Sequence, residues 1–242
     1  MERKYTIFAG VNGAGKSTLY ETLVSDGLRK LPRVNSDEII QRKHGNWNDP
    51  MDQILAAKDA IDLIRQFIEN GISFNHETTL AGPSLIPYIQ LAKEQGFVVE
   101  MYYVGLKNAD LAIDRVQKRV KLGGHGLSDK HIRSRYTQSL RMLKKIIPLC
   151  DSVKIYDNTE NLNIVASIEN GITKFRQPCD WLSTYLDNPE NQYGSDPLQN
   201  KETQTIGSWE KQLNHPLLHN INDPSDSKNT TLQGKKSAEK NA

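Results

Sequence analysis

Short apolar runs alternate with longer runs of helical period along the first 175 residues of this 242-residue chain. Tyr5-Thr6-Ile7-Phe8-Ala9 carries the pattern of a buried strand. Comparable runs predict strands over 33–36, 72–76, 98–104 and 152–156. The fourth is rich in β-branched and aromatic residues and follows Gly96, a helix stop. Residues 16–25, 51–70, 83–95, 109–121 and 129–147 read as helices. In the second of these the segment from Ile54 to Ile64 places apolar residues at i, i+3, i+4 and i+7, one face of a helix. Strand and helix patterns alternating in this way predict an α/β fold, a parallel five-stranded sheet covered by helices on both faces. Ligands of such sheets collect at the carboxyl ends of the strands. Chemistry is therefore sought just after each predicted strand.

Beyond Arg176 the pattern changes. Residues 187–242 are dominated by Asn, Asp, Ser, Gln, Lys, Pro and Gly. Such a segment buries too little to offset its backbone entropy. The expected organisation is one domain over 1–175 and a polar, largely disordered extension over 176–242. A patch running from Ile206 to Leu213 and on to Pro216, Leu217 and Leu218 stands apart. Ser208 is suited to cap a short helix there, with Trp209 and Leu213 on one face. A tail without specific contacts and a docking element are both open.

Composition changes this picture little. Lys and Arg number 31 against 29 Asp and Glu, a net charge of +2, too balanced to argue for nucleic acid or an anionic membrane. Cys150 and Cys179 follow no metal-ligand spacing and read as reduced thiols. Met1-Glu2-Arg3-Lys4 leads directly into the first strand, and no apolar run reaches the roughly 18 residues of a membrane span. A cytoplasmic location is the expectation.

The first strand feeds Gly10-Val11-Asn12-Gly13-Ala14-Gly15-Lys16-Ser17, a complete P-loop, and a helical pattern opens with Lys16-Ser17-Thr18. Strand, Gly-rich turn and helix let successive backbone N–H groups converge on a phosphate at the positive end of the helix dipole. Lys16 supplies a cation for the β- and γ-phosphates, and the Ser17 hydroxyl is placed to ligate Mg²⁺. Gly10, Asn12, Gly13, Ala14, Gly15, Lys16, Ser17 and Thr18 are the expected ATP-binding residues.

Polar groups follow the other strands. After the second comes Asn35-Ser36-Asp37, where a carboxylate can face the P-loop and accept a substrate proton. Asp37 or Ser36 capping the next helix is the equal alternative. After the third comes His76-Glu77-Thr78-Thr79, suited to phosphate, Mg²⁺ or a substrate hydroxyl, or to capping the helix that follows Gly82-Pro83. After the fifth, Asp157-Asn158-Thr159 is able to cap a helix. Arg115 and Arg119 share a helix face ahead of Gly123, Gly124, His125 and Gly126, and a second helix carries Arg133 and Arg135. A helix, a glycine hinge and a second basic helix suit a lid that brings guanidinium groups onto a transferring phosphoryl group. A solvated basic face is the alternative. His125 is suited to contact phosphate or to order the hinge, and is not read as a base. No apolar run ending in Asp marks a Walker B strand, which disfavours a motor ATPase. An acceptor-side carboxylate is also unneeded in a pure nucleotide-dependent binding module.

In this order the motifs, joined by Cys150-Asp151 and Asp157-Asn158, resemble the zeta-toxin family of P-loop kinases, in its compact bacterial branch, over about residues 3–170. The resemblance implies an ATP- and Mg²⁺-dependent kinase acting on a small-molecule hydroxyl. Characterised zeta toxins phosphorylate UDP-N-acetylglucosamine and are neutralised by a small helical antitoxin. Carried over, Lys16 and Ser17 match the ATP/Mg²⁺ pair and Asp37 the catalytic base. Glu77, with Thr78 and Thr79, matches the substrate-binding motif, and Arg115 and Arg119 match the lid arginines.

Overall fold

β1 (Arg3–Ala9) runs between β3 (Phe74–Thr78) and β4 (Phe97–Gly105) in a computed structural model that describes residues 2–47 and 49–186. The patch around Trp209, Leu213, Leu217 and Leu218 lies outside the described residues. Outward from this centre lie β2 (Arg33–Asn35) on one side and β5 (Ser152–Asp157), β6 (Asn163–Glu169) and β7 (Ile172–Phe175) on the other. The sheet is therefore seven-stranded, in the order β2-β3-β1-β4-β5-β6-β7. β2, β3, β1, β4 and β5 are parallel, whereas β6 and β7 are antiparallel. This corrects the expected five-stranded parallel sheet. Asn170 and Gly171, at φ 52° and 75°, turn β6 into β7, the left-handed pair that a two-residue hairpin needs.

Central strands covered on both faces must be apolar on both, and their residues divide by parity. Tyr5, Ile7 and Ala9, with Val99, Met101 and Tyr103, enter one core. Phe8, with Tyr102 and Val104, enters the other. The first core is covered by α3 (Pro50–Glu69), α4 (Ile86–Glu94) and most of α6 (Asp129–Ile146). The second is covered by α1 (Lys16–Ser25) and α5 (Ala109–Lys121). α3 buries Ala56, Ala60, Ile64 and Ile68, one residue per turn. α2 (Ser36–Arg42) follows β2 directly, with Asn35 as its N-cap.

Past residue 175 the chain still contributes to the first core. In α7 (Asp180–Leu186), Trp181 is 8% exposed and Leu182 0%. Trp181 donates Nε1–H to Asp157 Oδ1 at 3.0 Å. A side chain at Gly105 would collide with this indole, its Cβ falling 2.2 Å from Trp181 Cη2. The residues after β5 cap no helix. Asp157 Oδ1 instead accepts from Thr159 N at 3.2 Å and Thr159 Oγ1 at 2.6 Å, closing the turn toward β6.

Strand register places the candidate groups together. Phe8 pairs with Glu77 and Glu77 with Asn35, so β1, β3 and β2 end at one level beside the P-loop.

Candidate active site

The P-loop spans the gap between β1 and α1 as a backbone structure. Gly10 has φ +139°, and a Cβ there would lie 2.2 Å from Val104 O. Gly15 has φ +100°, and its Cβ would lie 2.5 Å from Asn158 Nδ2. Only glycine satisfies both conditions. No side chain caps the N-terminus of α1, leaving its first N–H groups to an external anion. Asn158 Nδ2 donates to Ala14 O at 2.8 Å and ties the loop to the segment after β5. Asn12 Oδ1 accepts from Arg135 Nη1 at 3.1 Å. Gly13 lies in the same loop, and Thr18 is exposed in the first turn of α1.

Lys16 is 8% exposed, and its Nζ donates to Val11 O at 3.3 Å. Burial lowers the pKa of its ammonium, while Glu77 and Asp37 oppose that shift. Ser17 Oγ donates to Glu77 at 3.2 and 3.3 Å, and Lys16 Nζ stands 3.9 Å from Glu77 Oε1. With its proton held by Glu77, the Ser17 oxygen has lone pairs left for a cation. Arg33 pairs with both Glu77 and Glu38, and its guanidinium lies 4.4 Å above the Tyr20 ring. Glu77 thus sits at the Lys16–Ser17 pair, on a strand whose buried Asn75 and His76 interrupt the apolar pattern of a Walker B segment.

Asp37 is not the helix cap. Asn35 Oδ1 takes that role, accepting from Asp37 N at 2.9 Å, which releases the Asp37 carboxylate from capping. His125 Nε2 lies 3.1 Å from Asp37 Oδ2, and its ring stacks on Trp47 at 5.1 Å and 8°. Burial raises the pKa of the Asp37 carboxyl, but the hydrogen bond and charge of His125, with Lys16 and Arg119, outweigh burial and hold it below the ordinary value.

The basic residues of α5 and α6 separate into two stations. Arg119 and Arg135 both act on Lys16 electrostatically, and Arg119 on Asp37 as well. Arg119 Nε donates to His125 O at 3.1 Å, whereas its Nη2 is buried with no partner among the described residues. Arg115 turns the other way, donating to Asn158 O at 2.7 Å and Thr159 O at 3.3 Å. Arg133 pairs with Asp110 at 2.5 Å on the exposed side.

A cavity of about 230 Å³ opens beside these groups. Ser36, His76, Thr78, Thr79 and Arg135 supply its polar lining, and Ala60, Ile61 and Ile64 of α3 its apolar wall. Thr78 Oγ1 accepts from Leu80 N at 3.1 Å and shapes the turn after β3. Arg135, His125, Arg33 and Asn158 are the site residues that reading by motif undervalued. Each reaches the site from a distant part of the chain, and only the paired basic arms of α5 and α6 signalled Arg135 in advance.

Among the described residues no group of three or more His, Cys, Asp or Glu is placed to hold a metal ion. One hydroxyl ligand beside a phosphate-binding loop nevertheless fits Mg²⁺, which takes few protein ligands and keeps several waters. No described helix is long and apolar enough to cross a membrane.

In structure the chain is similar to a chain of the AvrRxo1-ORF1:AvrRxo1-ORF2 complex with sulphate ions (TM-score 0.55, 17% identity, 81% of this chain and 66% of that one). It matches the same complex with ATP at TM-score 0.54 and 16% identity, over 81% of this chain and 66% of that one. It thus spans just under two thirds of the length of those chains. It is also similar to a chain of the PezAT chromosomal toxin–antitoxin system of Streptococcus pneumoniae (TM-score 0.54, 13% identity, 88% and 87% covered). At these identities the likeness is one of fold. In sequence, an uncharacterized protein of Haemophilus influenzae is 34% identical over 136 residues, 56% of this chain and 94% of the relative. The family model described as an AAA domain matches residues 6–139, more than half of the chain, and the protein belongs to that family.

Proposed function

We propose that the protein is an ATP- and Mg²⁺-dependent kinase that transfers the γ-phosphoryl group to a hydroxyl of a small molecule. The observation that carries this reading is a carboxylate, Asp37, held by His125 at 3.1 Å and near enough to Lys16, Arg119 and Arg135 for their charges to act on one another. A hydrolytic motor or a pure nucleotide sensor has no need of an acceptor cavity lined by Ser36, Thr78 and Thr79.

In this reading the P-loop N–H groups and Lys16 hold the β- and γ-phosphates, and Ser17 ligates the metal ion. The ion, when bound with ATP, neutralises charge that develops between the phosphates. Asp37 orients the acceptor hydroxyl and takes its proton. Its lowered pKa makes it a weak base, suited to a loose transition state in which the proton leaves late. Arg119 and Arg135 stabilise the transferring group, and Arg115, held by the loop after β5, serves the nucleotide end of the clamp. The resemblance to zeta toxins adds a UDP-sugar such as UDP-N-acetylglucosamine as acceptor and a small helical antitoxin as partner. A fold shared with a complex containing ATP and with a toxin–antitoxin system supports this direction.

The test is ³¹P NMR of purified protein with ATP, Mg²⁺ and a metabolite extract. A new phosphomonoester signal that disappears with Lys16→Ala supports the kinase. Free phosphate alone points to an ATPase, and no turnover at all to a binding module.

A further inference from the structure

The acceptor cavity contains a buried group with no part in the phosphoryl-transfer assignment above. His76 lies on β3, 9% exposed, and lines the cavity. Its Nδ1 is 3.0 Å from the hydroxyl of Tyr5, which is 0% exposed. Burial raises the pKa of that phenol well above its ordinary value, so Tyr5 keeps its proton. A buried O–H without an acceptor is costly, and Nδ1 is the acceptor at hand. An imidazole nitrogen that accepts carries no hydrogen, which places the ring hydrogen on Nε2. Nδ1 is thus engaged in the core, and Nε2–H is what His76 offers a ligand.

We propose that His76 is the specificity-determining residue of the acceptor cavity, its Nε2–H, set by Tyr5, binding a hydroxyl or carbonyl oxygen of an uncharged, polyhydroxylated acceptor.

The remaining walls agree. Among the described residues no Asp or Glu lines the cavity, so an ammonium group entering it finds no counter-ion. Asp37, the acid adjacent to Ser36, is engaged by His125 at 3.1 Å. Arg135 adds a positive charge to the wall. Burial brings the pKa of His76 down to about 4, so the ring is neutral near pH 7 and does not favour an anion at this position. Ser36, Thr78, Thr79 and Ser84 supply hydroxyls that both donate and accept, a lining suited to neutral OH groups. The apolar wall from α3 suits the C–H face of a sugar ring.

The proposal rests on the kinase reading for the name of the cavity, and a binding measurement separates the two. Saturation-transfer NMR on the full chain, with a non-hydrolysable ATP analogue, compares glucose, N-acetylglucosamine, UDP-N-acetylglucosamine and glucosamine. The expected result is binding of an uncharged sugar, free or UDP-linked, with glucosamine about tenfold weaker. The free and UDP-linked arms distinguish a compact acceptor from the sugar end of a larger one. His76→Phe is expected to weaken sugar binding about tenfold at unchanged nucleotide affinity, while His76→Gln, which keeps a donor, stays within about threefold. Should His76→Phe not fold, Tyr5→Phe carries the test, because freeing Nδ1 lets the tautomer invert and weakens sugar binding. Glucosamine binding as tightly as glucose, no sugar binding at all, or sugar affinity indifferent to these variants would each overturn the proposal. If sugars bind through His76 but no phosphate moves, the kinase reading fails and the specificity assignment stands.

Discussion

The nucleotide half of the cleft and the half proposed to take the acceptor are built by opposite means. On the P-loop side the backbone belongs to one continuous stretch, Gly10 to Ser17, whose path is dictated by steric limits at Gly10 and Gly15. On the proposed acceptor side Asp37, Arg119, His125 and Arg135 come from α2, α5, the glycine segment and α6, and side-chain contacts set their geometry. Binding a polyphosphate needs a fixed cradle, and one local turn provides it. Choosing and activating an acceptor needs charges that meet only when separate elements close together. The first half is expected to fail all at once on mutation, the second in graded steps.

Lys16→Ala should have the largest effect, a loss of phosphotransfer of about 10³-fold with weakened ATP binding, read by single-turnover transfer and by nucleotide titration. Asp37→Asn should cost about 10²- to 10³-fold in kcat while ATP affinity stays unchanged. Near-normal transfer by this variant would reduce Asp37 to a first-turn residue of α2 and erase the contrast between the halves.

His76 offers a comparison through stability rather than rate. Its folded pKa is about 4 against an ordinary 6.5. Between these values the unfolded chain binds the extra proton, so the contribution of His76 is whole above about pH 6.5 and is lost as pH falls toward 4. The full span is roughly 3 kcal/mol. Urea midpoints at pH 7.5 and 4.5 should differ by less in His76→Gln than in the parent chain, and equal slopes in the two proteins would contradict the burial of a neutral imidazole.

The smallest effect is expected at His125, which touches Asp37 and Trp47 together. His125→Ala should lower kcat about tenfold with little change in KM for ATP, because it loosens the carboxylate without removing it. Fluorescence of Trp47, isolated in a Trp181→Phe, Trp209→Phe background, should change with ATP in the parent and lose that response in His125→Ala. An unchanged response would separate the hinge from the base.

The nucleotide half was legible in the linear chain because a P-loop is a local object. Its spacing, its preceding strand and its following helix all fall within about one βα unit, and local steric rules determine all three. The strand and helix periods likewise predicted β1 to β5 and the main helices. The third strand is displaced by two residues, because Asn70 and Gly71 end α3 and leave Ile72 42% exposed ahead of β3. The hairpin of β6 and β7 was also written locally, in Asn170-Gly171, the strongest short signal of such a turn. It escaped because Ile172, Thr173, Lys174 and Phe175 form an exposed edge strand with no apolar alternation. α7 escaped for a related reason. Its seven residues show too short a period to declare a buried face, and only the bare surface of Gly105 reveals where Trp181 packs.

What tertiary structure alone decided is the assignment of partners. The chain offers Asp37 or Ser36 as the cap of α2, and the hydrogen bond from Asp37 N to Asn35 Oδ1 gives that role to Asn35 instead and leaves the Asp37 carboxylate to His125. Arg115 and Arg119 share a helix face by spacing, yet one donates to the carbonyls after β5 and the other to His125 O. His76 reads as one more polar residue in a strand until Tyr5, 71 positions away, is found on its Nδ1. Local sequence dictates backbone path through short-range sterics. Charge pairing and tautomer depend on distances between segments far apart in the chain, and those exist only once the sheet has brought its strand ends to one level.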